Sequence, residues 1–561
     1  MVVSWRSRPA LFVVLTLTVV LTASTALSAQ EKPEEKAAAP AAAAAPHTSS
    51  PTTPDSITEG TVNIGGQSIA YKAIAGTLTV GGSDPQDATI GFDGKPLPDA
   101  NVHLPERTED APPIARMFYV AYFKKDAPAA SRPIVFAYNG GPGSPTMWLH
   151  MGTFGPKRIV TPDTQHQEGA PYSIVNNEYS LLDVADVVFI DAPGTGLSRT
   201  FGKNKAEAFY GVDGDGHAFE RFIRRFLSRY DRWNSPKYIF GESYGTPRSA
   251  VLAADLRSVD LNGIILLSQI LAFDNSVDGP TANPGVDQAY ALALPTFAAT
   301  AWYHHKLPTQ PPALQPFLEE VQKYALGDYM AALLQGSDLP DAQRQAVAEK
   351  LHGYTGLPVD YLLRADLRVT GGEFSEELKL NEGMTTGRLD SRYEGPEVDP
   401  MGATSGYDPQ SDAITSAWNT AINQYLHSDL KYATQATYLM NARQGGEFSW
   451  NMNHQPPGRG FPGGGGNNSS ETGANVMPDL AYRMKMNPKM KVMLAGGYYD
   501  LATPYFEGVY EMHHLPMPRN LQSNISYHYY EAGHMIYVKD DVLKQFKADV
   551  ASFIKSTESG K

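Results

Sequence analysis

Residues 237–256 read KYIFGESYGTPRSAVLAADL and combine three elements in one short stretch. The apolar run from Lys237 to Phe240 predicts a buried strand, and the residues from Pro247 to Leu256 predict a helix. Between them, Gly241-Glu242-Ser243-Tyr244-Gly245 fits the pattern G-x-S-x-G. A sharp turn between a strand and a helix exposes a serine hydroxyl above the end of a sheet. This context predicts that Ser243 is a nucleophile, whereas the pentapeptide alone would also suit an ordinary tight turn.

Similar apolar runs recur along the chain, at Pro133 to Tyr138, Asp186 to Ile190, Gly263 to Leu267 and Lys491 to Leu494. Continuous apolar runs of this length are typical of strands in a parallel sheet that is covered on both faces. Apolar residues at helical spacing lie between and after them, most clearly from Phe219 to Tyr230 and from Val542 to Phe553. The alternation predicts an α/β fold with a mostly parallel central sheet flanked by helices.

Composition divides the rest of the chain. Residues 1–29 carry two arginines, an apolar run and then small residues, which predicts a cleaved signal peptide; an uncleaved membrane anchor is the alternative. Residues 30–56 are rich in Ala and Pro and predict a disordered linker. We expect residues 57–561 to form one domain, with a large cap insertion at about 272–445. No other stretch suits a membrane span, so the mature chain is predicted to lack one and to be secreted or periplasmic.

Charge and cysteine content exclude several kinds of site. The chain of 561 residues has no cysteine, which excludes cysteine nucleophiles, thiolate metal sites and iron–sulfur ligation. Any covalent catalysis must therefore use an oxygen, an amine or an imidazole, and no cofactor or metal is predicted. A formal net charge of -14 argues against nucleic acid as a partner. The sequence carries no pattern that predicts an oligomeric state.

A base and an acid for Ser243 are expected late in the chain, because hydrolases of this type run serine, acid, histidine. His534 follows the apolar run from Ile525 to Tyr530 and precedes the last predicted helix. Asp500 lies in the loop after the predicted strand that begins at Lys491. An aspartate in that loop can accept the Nδ1 proton of a histidine and fix its tautomer. We predict a triad of Ser243, Asp500 and His534. The alternatives are a capping role for Asp500 and a surface or core position for His534.

An oxyanion formed at Ser243 would need hydrogen-bond donors placed in advance. The backbone N–H of Tyr244, directly after the nucleophile, is one candidate. A second should come from a loop after an early strand, and Asn139-Gly140-Gly141-Pro142-Gly143 follows the predicted strand that ends at Tyr138. Glycines in that loop would let the backbone approach a substrate without a side-chain collision.

Four blocks together resemble the serine carboxypeptidase family: Asn139 to Ser144, Asp191 to Ser198, Gly241 to Gly245, and Gly533-His534-Met535. They occur in the order and with the approximate spacing of that family, and the loop from Gly496 to Pro504 resembles its aspartate loop. The resemblance, to a secreted member of bacterial type, implies the α/β-hydrolase fold. It also implies the release of C-terminal amino acids from peptide substrates through an acyl-enzyme.

The resemblance also implies roles for single residues. Gly141 and Tyr244 correspond to the oxyanion donors, and Asn139, Gly140 and Glu242 to the group that binds the substrate carboxylate. A glutamate can serve there only if it is protonated or bonded to a neutral partner, because two carboxylates repel each other. The chain departs from the family at Thr153, where a second glutamate is expected, and at Ser144, where a cysteine is usual. An esterase or other acyl hydrolase on the same fold, and a non-catalytic exported binding protein, remain alternatives.

Overall fold

The computed structural model describes residues 53–100, 105, 107–432, 435–446, 448–457 and 474–558. The predicted signal peptide and most of the predicted linker lie outside these residues. The last residues of the predicted linker are part of the fold, because Asp55 forms an ion pair with Arg229 and the first strand begins at Ser56. Within the described residues, no helix combines the length and the apolar character that a membrane span requires.

The described residues form fourteen strands. They are β1 Ser56–Ile64, β2 Gln67–Gly81, β3 Ile114–Lys124, β4 Ile134–Tyr138, β5 Lys157–Ile159, β6 Ile174–Asn176, β7 Asp186–Ile190, β8 Arg199–Phe201, β9 Lys237–Glu242, β10 Gly263–Leu267, β11 Met384–Thr386, β12 Glu394–Pro396, β13 Lys491–Gly497 and β14 Ile525–Tyr530. Every apolar run that predicted a central strand forms one, so these predictions are confirmed.

One large sheet forms the centre of the described chain, in the order β1-β2-β3-β7-β4-β9-β10-β13-β14, with β8 paired to β3. The segment from β7 to β14 is parallel, whereas β1, β2, β3 and β8 pair in antiparallel fashion. The order reverses around β4, the first parallel strand along the chain, as in a doubly wound sheet. In such a sheet the loops at the carboxyl ends of the strands meet along one edge.

Fifteen α-helices lie within the same described ranges. They are α1 Asp84–Asp87, α2 Met147–Gly152, α3 Lys205–Phe209, α4 Val212–Arg229, α5 Gly245–Asp255, α6 Gln288–Tyr303, α7 Leu314–Tyr324, α8 Met330–Leu333, α9 Asp341–Thr355, α10 Val359–Arg364, α11 Gly371–Glu377, α12 Pro409–Ser428, α13 Met477–Met486, α14 Tyr505–His513 and α15 Asp540–Glu558. The two helices predicted most clearly from periodicity correspond to α4 and α15.

Helices cover both faces of the sheet. Apolar residues of α4, α5 and α13 pack on one face, and those of α2, α12 and α15 pack on the other. This arrangement confirms the predicted α/β-hydrolase fold. It explains why strands such as β4 and β7 are buried along their whole length, since neither face meets water.

The chain between β10 and β13 forms the inserted region. Its helices α6, α7, α9 and α11 build an apolar cluster of their own, which also includes Tyr499 and Leu501 from the loop after β13. Helix α12 belongs to the same stretch of sequence but packs on α2 at the body of the fold, where Trp418 and Trp148 are in contact. We call the residues from 272 to 408, which precede α12, the cap.

Candidate active site

Ser243 lies in the turn between β9 and α5 with a φ of 58°. This left-handed conformation is costly for a residue with a side chain and is common at functional turns. The turn is held by hydrogen bonds from the Ser243 N–H to the Leu267 carbonyl (2.9 Å) and from the Thr246 N–H to the Ser243 carbonyl (2.8 Å). The strand–turn–helix context predicted from the sequence is therefore present.

Asp500 and His534 come together at the carboxyl ends of β13 and β14. The His534 Nδ1 lies 2.8 Å from Asp500 Oδ2, and both side chains are buried. Asp500 also accepts hydrogen bonds from the Ala502 and Thr503 N–H groups and from the Thr503 hydroxyl, at 2.9, 3.0 and 2.7 Å. These donors fix the carboxylate so that one oxygen faces the imidazole.

The pKa of His534 reflects two opposing effects. Burial alone would lower it, but the charge and the hydrogen bond of Asp500 outweigh burial, so the pKa of His534 is raised above its usual value. A carboxylate bonded to Nδ1 leaves Nε2 as the nitrogen that can accept a proton.

Ser243 and His534 both line a cavity of about 620 Å³. Asn139, Gly140, Gly141, Glu242 and Tyr244 line the same cavity, so every site residue predicted from the sequence except Asp500 lines it. Asp500 lies behind His534 and is fully buried. Apolar side chains also line the cavity, including those of Trp148, Phe273, Leu389, Met452 and Met535.

The loop after β4 lies directly against the Ser243 turn. A Cβ added at Gly140 would collide with the backbone nitrogens of Tyr244 and Gly245, so only glycine permits this approach. The Asn139 carbonyl accepts a hydrogen bond from Arg248 (2.6 Å), which forms a buried ion pair with Asp215. The N–H groups predicted as oxyanion donors, those of Gly141 and Tyr244, therefore belong to two loops in direct contact.

Glu242 occupies a buried position beside Ser243. The Asn139 amide donates a hydrogen bond to its Oε2 (2.8 Å), and the Tyr537 hydroxyl donates to both carboxylate oxygens (3.0 and 3.1 Å). Burial raises the pKa of Glu242 to about 7, although the positive charge of His534 and these hydrogen bonds oppose the shift. Near neutral pH the protonated acid, which can donate a hydrogen bond, and the carboxylate anion are therefore both accessible to this side chain.

At position 153, where the family would place a second glutamate, the chain has a threonine that bonds to its own helix. Its hydroxyl donates to the Leu149 carbonyl one helical turn earlier (2.6 Å). Tyr537 supplies the second partner of Glu242 instead, and sequence reasoning missed it. The available signal was its position three residues after His534, within the buried run that follows the histidine loop.

The block from Asp191 to Ser198 has a structural role in this part of the molecule. Asp191 is buried and accepts hydrogen bonds from the N–H groups of Thr146 (2.8 Å) and Leu197 (3.2 Å). Burial raises the pKa of Asp191 to about 6. Because Thr146 directly precedes α2, these bonds hold the end of the loop that carries Asn139 and the glycines.

Residues 109–258 match the sequence profile of the family described as serine carboxypeptidase. This segment includes three of the four sequence blocks and all of the predicted site residues except Asp500 and His534. The chain resembles the serine carboxypeptidases. The resemblance predicted from the sequence blocks is thereby confirmed for residues 109–258.

Curated relatives match this chain over a limited length. Serine carboxypeptidase-like 28 of Arabidopsis thaliana is 29% identical over 180 residues, which are 31% of this chain and 37% of the relative. Serine carboxypeptidase-like 36 of the same plant is 28% identical over 137 residues, or 24% of this chain and 26% of the relative. The chain thus spans well under half the length of the curated relatives it matches.

Solved structures that align with most of the chain are distant from it in sequence. The prohormone-processing carboxypeptidase Kex1Δp of Saccharomyces cerevisiae aligns with 85% of this chain and 91% of its own, at 13% identity and a TM-score of 0.47. The esterase RhEst1 of a Rhodococcus species aligns with 79% of this chain and 96% of its own, at 13% identity and a TM-score of 0.32.

Proposed function

We propose that the chain is a serine carboxypeptidase that releases C-terminal amino acids from peptides. The observation that carries this proposal is the pairing of Glu242 with Asn139 beside Ser243, in the cavity that His534 also lines. A buried carboxylic acid next to an amide can donate a hydrogen bond to a substrate carboxylate without the repulsion between two anions. The family match of residues 109–258 supports the same proposal.

The proposed reaction is acyl transfer through Ser243. Its Oγ attacks the last peptide carbonyl while His534 Nε2 takes the hydroxyl proton, and Asp500 stabilises the resulting imidazolium. The N–H groups of Gly141 and Tyr244 would bind the oxyanion of the tetrahedral intermediate. The C–N bond then breaks, His534 gives its proton to the departing amino group, and an ester to Ser243 remains. Water, deprotonated by His534, hydrolyses that ester and restores the enzyme.

Glu242, Asn139 and Gly140 are proposed to bind the free carboxylate of the substrate. The carboxylate would then be held on one side of the scissile carbonyl, and the rest of the peptide would occupy the remaining wall of the cavity. The predicted signal peptide supports a secreted or periplasmic location for the mature protein. An esterase on the same scaffold would need Ser243, Asp500 and His534 but not this carboxylate site.

One substrate comparison tests the proposal. The enzyme is given a short peptide, the same peptide with a C-terminal amide, and a p-nitrophenyl ester, and the products are followed by mass spectrometry. We expect residues to leave the free-acid peptide one at a time from its C-terminus, with the amide cleaved far more slowly. Equal cleavage of acid and amide, or cleavage of the ester alone, would point to a general acyl hydrolase. No hydrolysis of any of the three would favour a binding protein.

A further inference from the structure

A turn of the cap lies against both loops that carry the acid and the histidine. This cap turn, residues 387–393, connects β11 to β12. The His534 N–H donates to the Leu389 carbonyl (2.6 Å), and the Leu501 N–H donates to the Arg388 carbonyl (3.0 Å). The backbone on either side of the Asp500–His534 pair is therefore anchored to two successive carbonyls of the cap turn.

A second set of contacts seats the cap turn against the same loops. The N–H and the hydroxyl of Ser391 both donate to the Tyr499 carbonyl, at 2.9 and 3.0 Å, directly before Asp500. On the histidine side, a Cβ added at Gly533 would collide with the side chain of Asp390. The cap turn thus contacts the residue before Asp500, the residue after it, and the residue before His534.

The cap turn is itself fixed by buried charges. Asp390 and Arg392 are both buried and are joined by two hydrogen bonds, of 3.0 and 2.6 Å, and Arg392 also binds Asp163 at 3.0 and 3.1 Å. Asp408, at the end of the cap, accepts hydrogen bonds from the N–H groups of Arg388 (2.7 Å) and Leu389 (2.8 Å). A charge pair that is desolvated and bidentate holds its geometry more firmly than an exposed one.

The other side of the cap turn faces the cavity. Arg388 and Leu389 line it, and Arg388 forms an ion pair with Asp278, which also lines it. The segment whose carbonyls hold the Asp500 and His534 loops therefore also forms part of the wall that a substrate would touch.

We infer that the cap turn is a positioning element for the reaction: it sets the alignment of the Asp500–His534 pair with Ser243. The inference rests on the proposed roles of these three residues. The cap turn contributes no group to proton transfer, and it acts through backbone carbonyls whose place is fixed by the Asp390–Arg392 pair. Displacement of a reacting group by about 1 Å can cost roughly 10²-fold in rate, so loosening the cap turn should slow turnover.

The test removes the charges of that pair and leaves polar side chains in their place. The double variant Asp390→Asn, Arg392→Gln is compared with Asp287→Asn, Arg368→Gln, which neutralises another ion pair of the cap, joined at 2.8 Å and outside the cap turn. We expect the first variant to lower kcat by about 10²-fold on both the free-acid peptide and the p-nitrophenyl ester, with KM changed less than about threefold. The control should keep its kcat even if its unfolding temperature falls as much.

A second readout does not depend on turnover. The proton shared by His534 and Asp500 should give a far-downfield signal in the ¹H NMR spectrum of the wild type, shifted or lost in the first variant and kept in the control. If that variant does not fold, Ser391→Ala replaces it, since it removes only the hydroxyl contacts with Tyr499 and Thr300. Unchanged kcat and an unchanged proton signal would overturn the inference. A wild type that shows the signal but hydrolyses no substrate would refute the proposed function. The inference about the cap turn would then be decided by whether the proton signal changes in the first variant and stays in the control.

Discussion

The cavity has two walls that are held in different ways. On one side, Ser243 and the loop after β4 are positioned by neighbours in the sheet, through the contact of Gly140 with Tyr244 and the bond from Ser243 to Leu267. On the other side, the loops of Asp500 and His534 hydrogen-bond to a turn of the cap, which is remote from both in sequence. The difference indicates that the proposed nucleophile is positioned by contacts at the edge of the sheet, whereas its proposed partners depend on an insertion.

The largest expected effect concerns the sheet side. Gly140→Ala would push the loop after β4 away from Tyr244 and Gly245 and so displace the proposed oxyanion donors. Loss of one such donor costs about 10²- to 10³-fold in turnover, and we expect a fall of that size on peptide and ester alike. Steady-state kinetics measure it. Gly353→Ala on α9, where an added Cβ meets no atom of the described residues within 4 Å, is the matched control.

If Gly140→Ala changed kcat by less than a few-fold, the local contact would not position the donors, and the contrast between the two walls would fail.

A smaller effect is expected where the two walls meet, at Glu242. Wild-type kcat/KM for a free-acid peptide should decline as pH rises through about 7, because the ionised Glu242 repels the substrate carboxylate. Tyr537→Phe removes a donor that favours the ionised form, so the pKa of Glu242 should rise further and the decline should move to higher pH. A shift of one unit would give up to about tenfold more relative activity above pH ~8.

Two controls identify the titrating group in that experiment. Glu242→Gln should remove the decline, and a p-nitrophenyl ester should not show it in any variant. A decline that stays in place in both Tyr537→Phe and Glu242→Gln would assign it to a group other than Glu242.

The smallest effect is on stability and concerns α14, which follows the Asp500 loop and packs into the cap cluster through Tyr505 and Phe506. Glu507 is buried and its carboxylate finds no hydrogen-bond partner among the described residues. Burial and the nearby charge of Glu511 raise the pKa of Glu507 well above its usual value. The folded state therefore holds this proton more tightly than the unfolded chain, and stability falls as pH rises above the unfolded pKa.

Glu507→Gln removes that loss, so we expect its free energy of unfolding near pH ~7 to exceed the wild-type value by about 1 kcal/mol or more, and the difference to vanish in acid. Urea unfolding at two pH values measures it. Glu511→Gln is the contrasting variant, because Glu511 accepts bonds from Gln269, Asn275 and two backbone N–H groups. A stabilising Glu511→Gln, or a Glu507→Gln without effect, would contradict the assignment of this loss of stability to Glu507.

The sequence predicted the sheet side in detail. Apolar runs such as Asp186–Ile190 and Gly263–Leu267 match their strands residue for residue, because buried parallel strands leave little room for polar residues. The Ser243 turn and the glycine loop after β4 were predictable because close backbone contact restricts which residue types fit there.

The cap side was predictable only in outline. Asp500 and His534 could be found from their order and from the strands before them, but the cap turn could not. Its contribution comes from the carbonyls of Arg388 and Leu389, and any residue carries a carbonyl, so no residue type marks the role. Tyr537 is an intermediate case, since its side chain matters but its partner lies far away in sequence at Glu242.

Active-site labelling tests the central claim most directly. The folded protein is treated with a fluorophosphonate, which reacts with an activated serine, and the modified residue is identified by peptide mass spectrometry, with Ser243→Ala as the control. The account predicts a single modified peptide that contains Ser243, and no labelling of the Ser243→Ala variant. A folded wild type that remains unlabelled, or that is labelled at another residue, would contradict it.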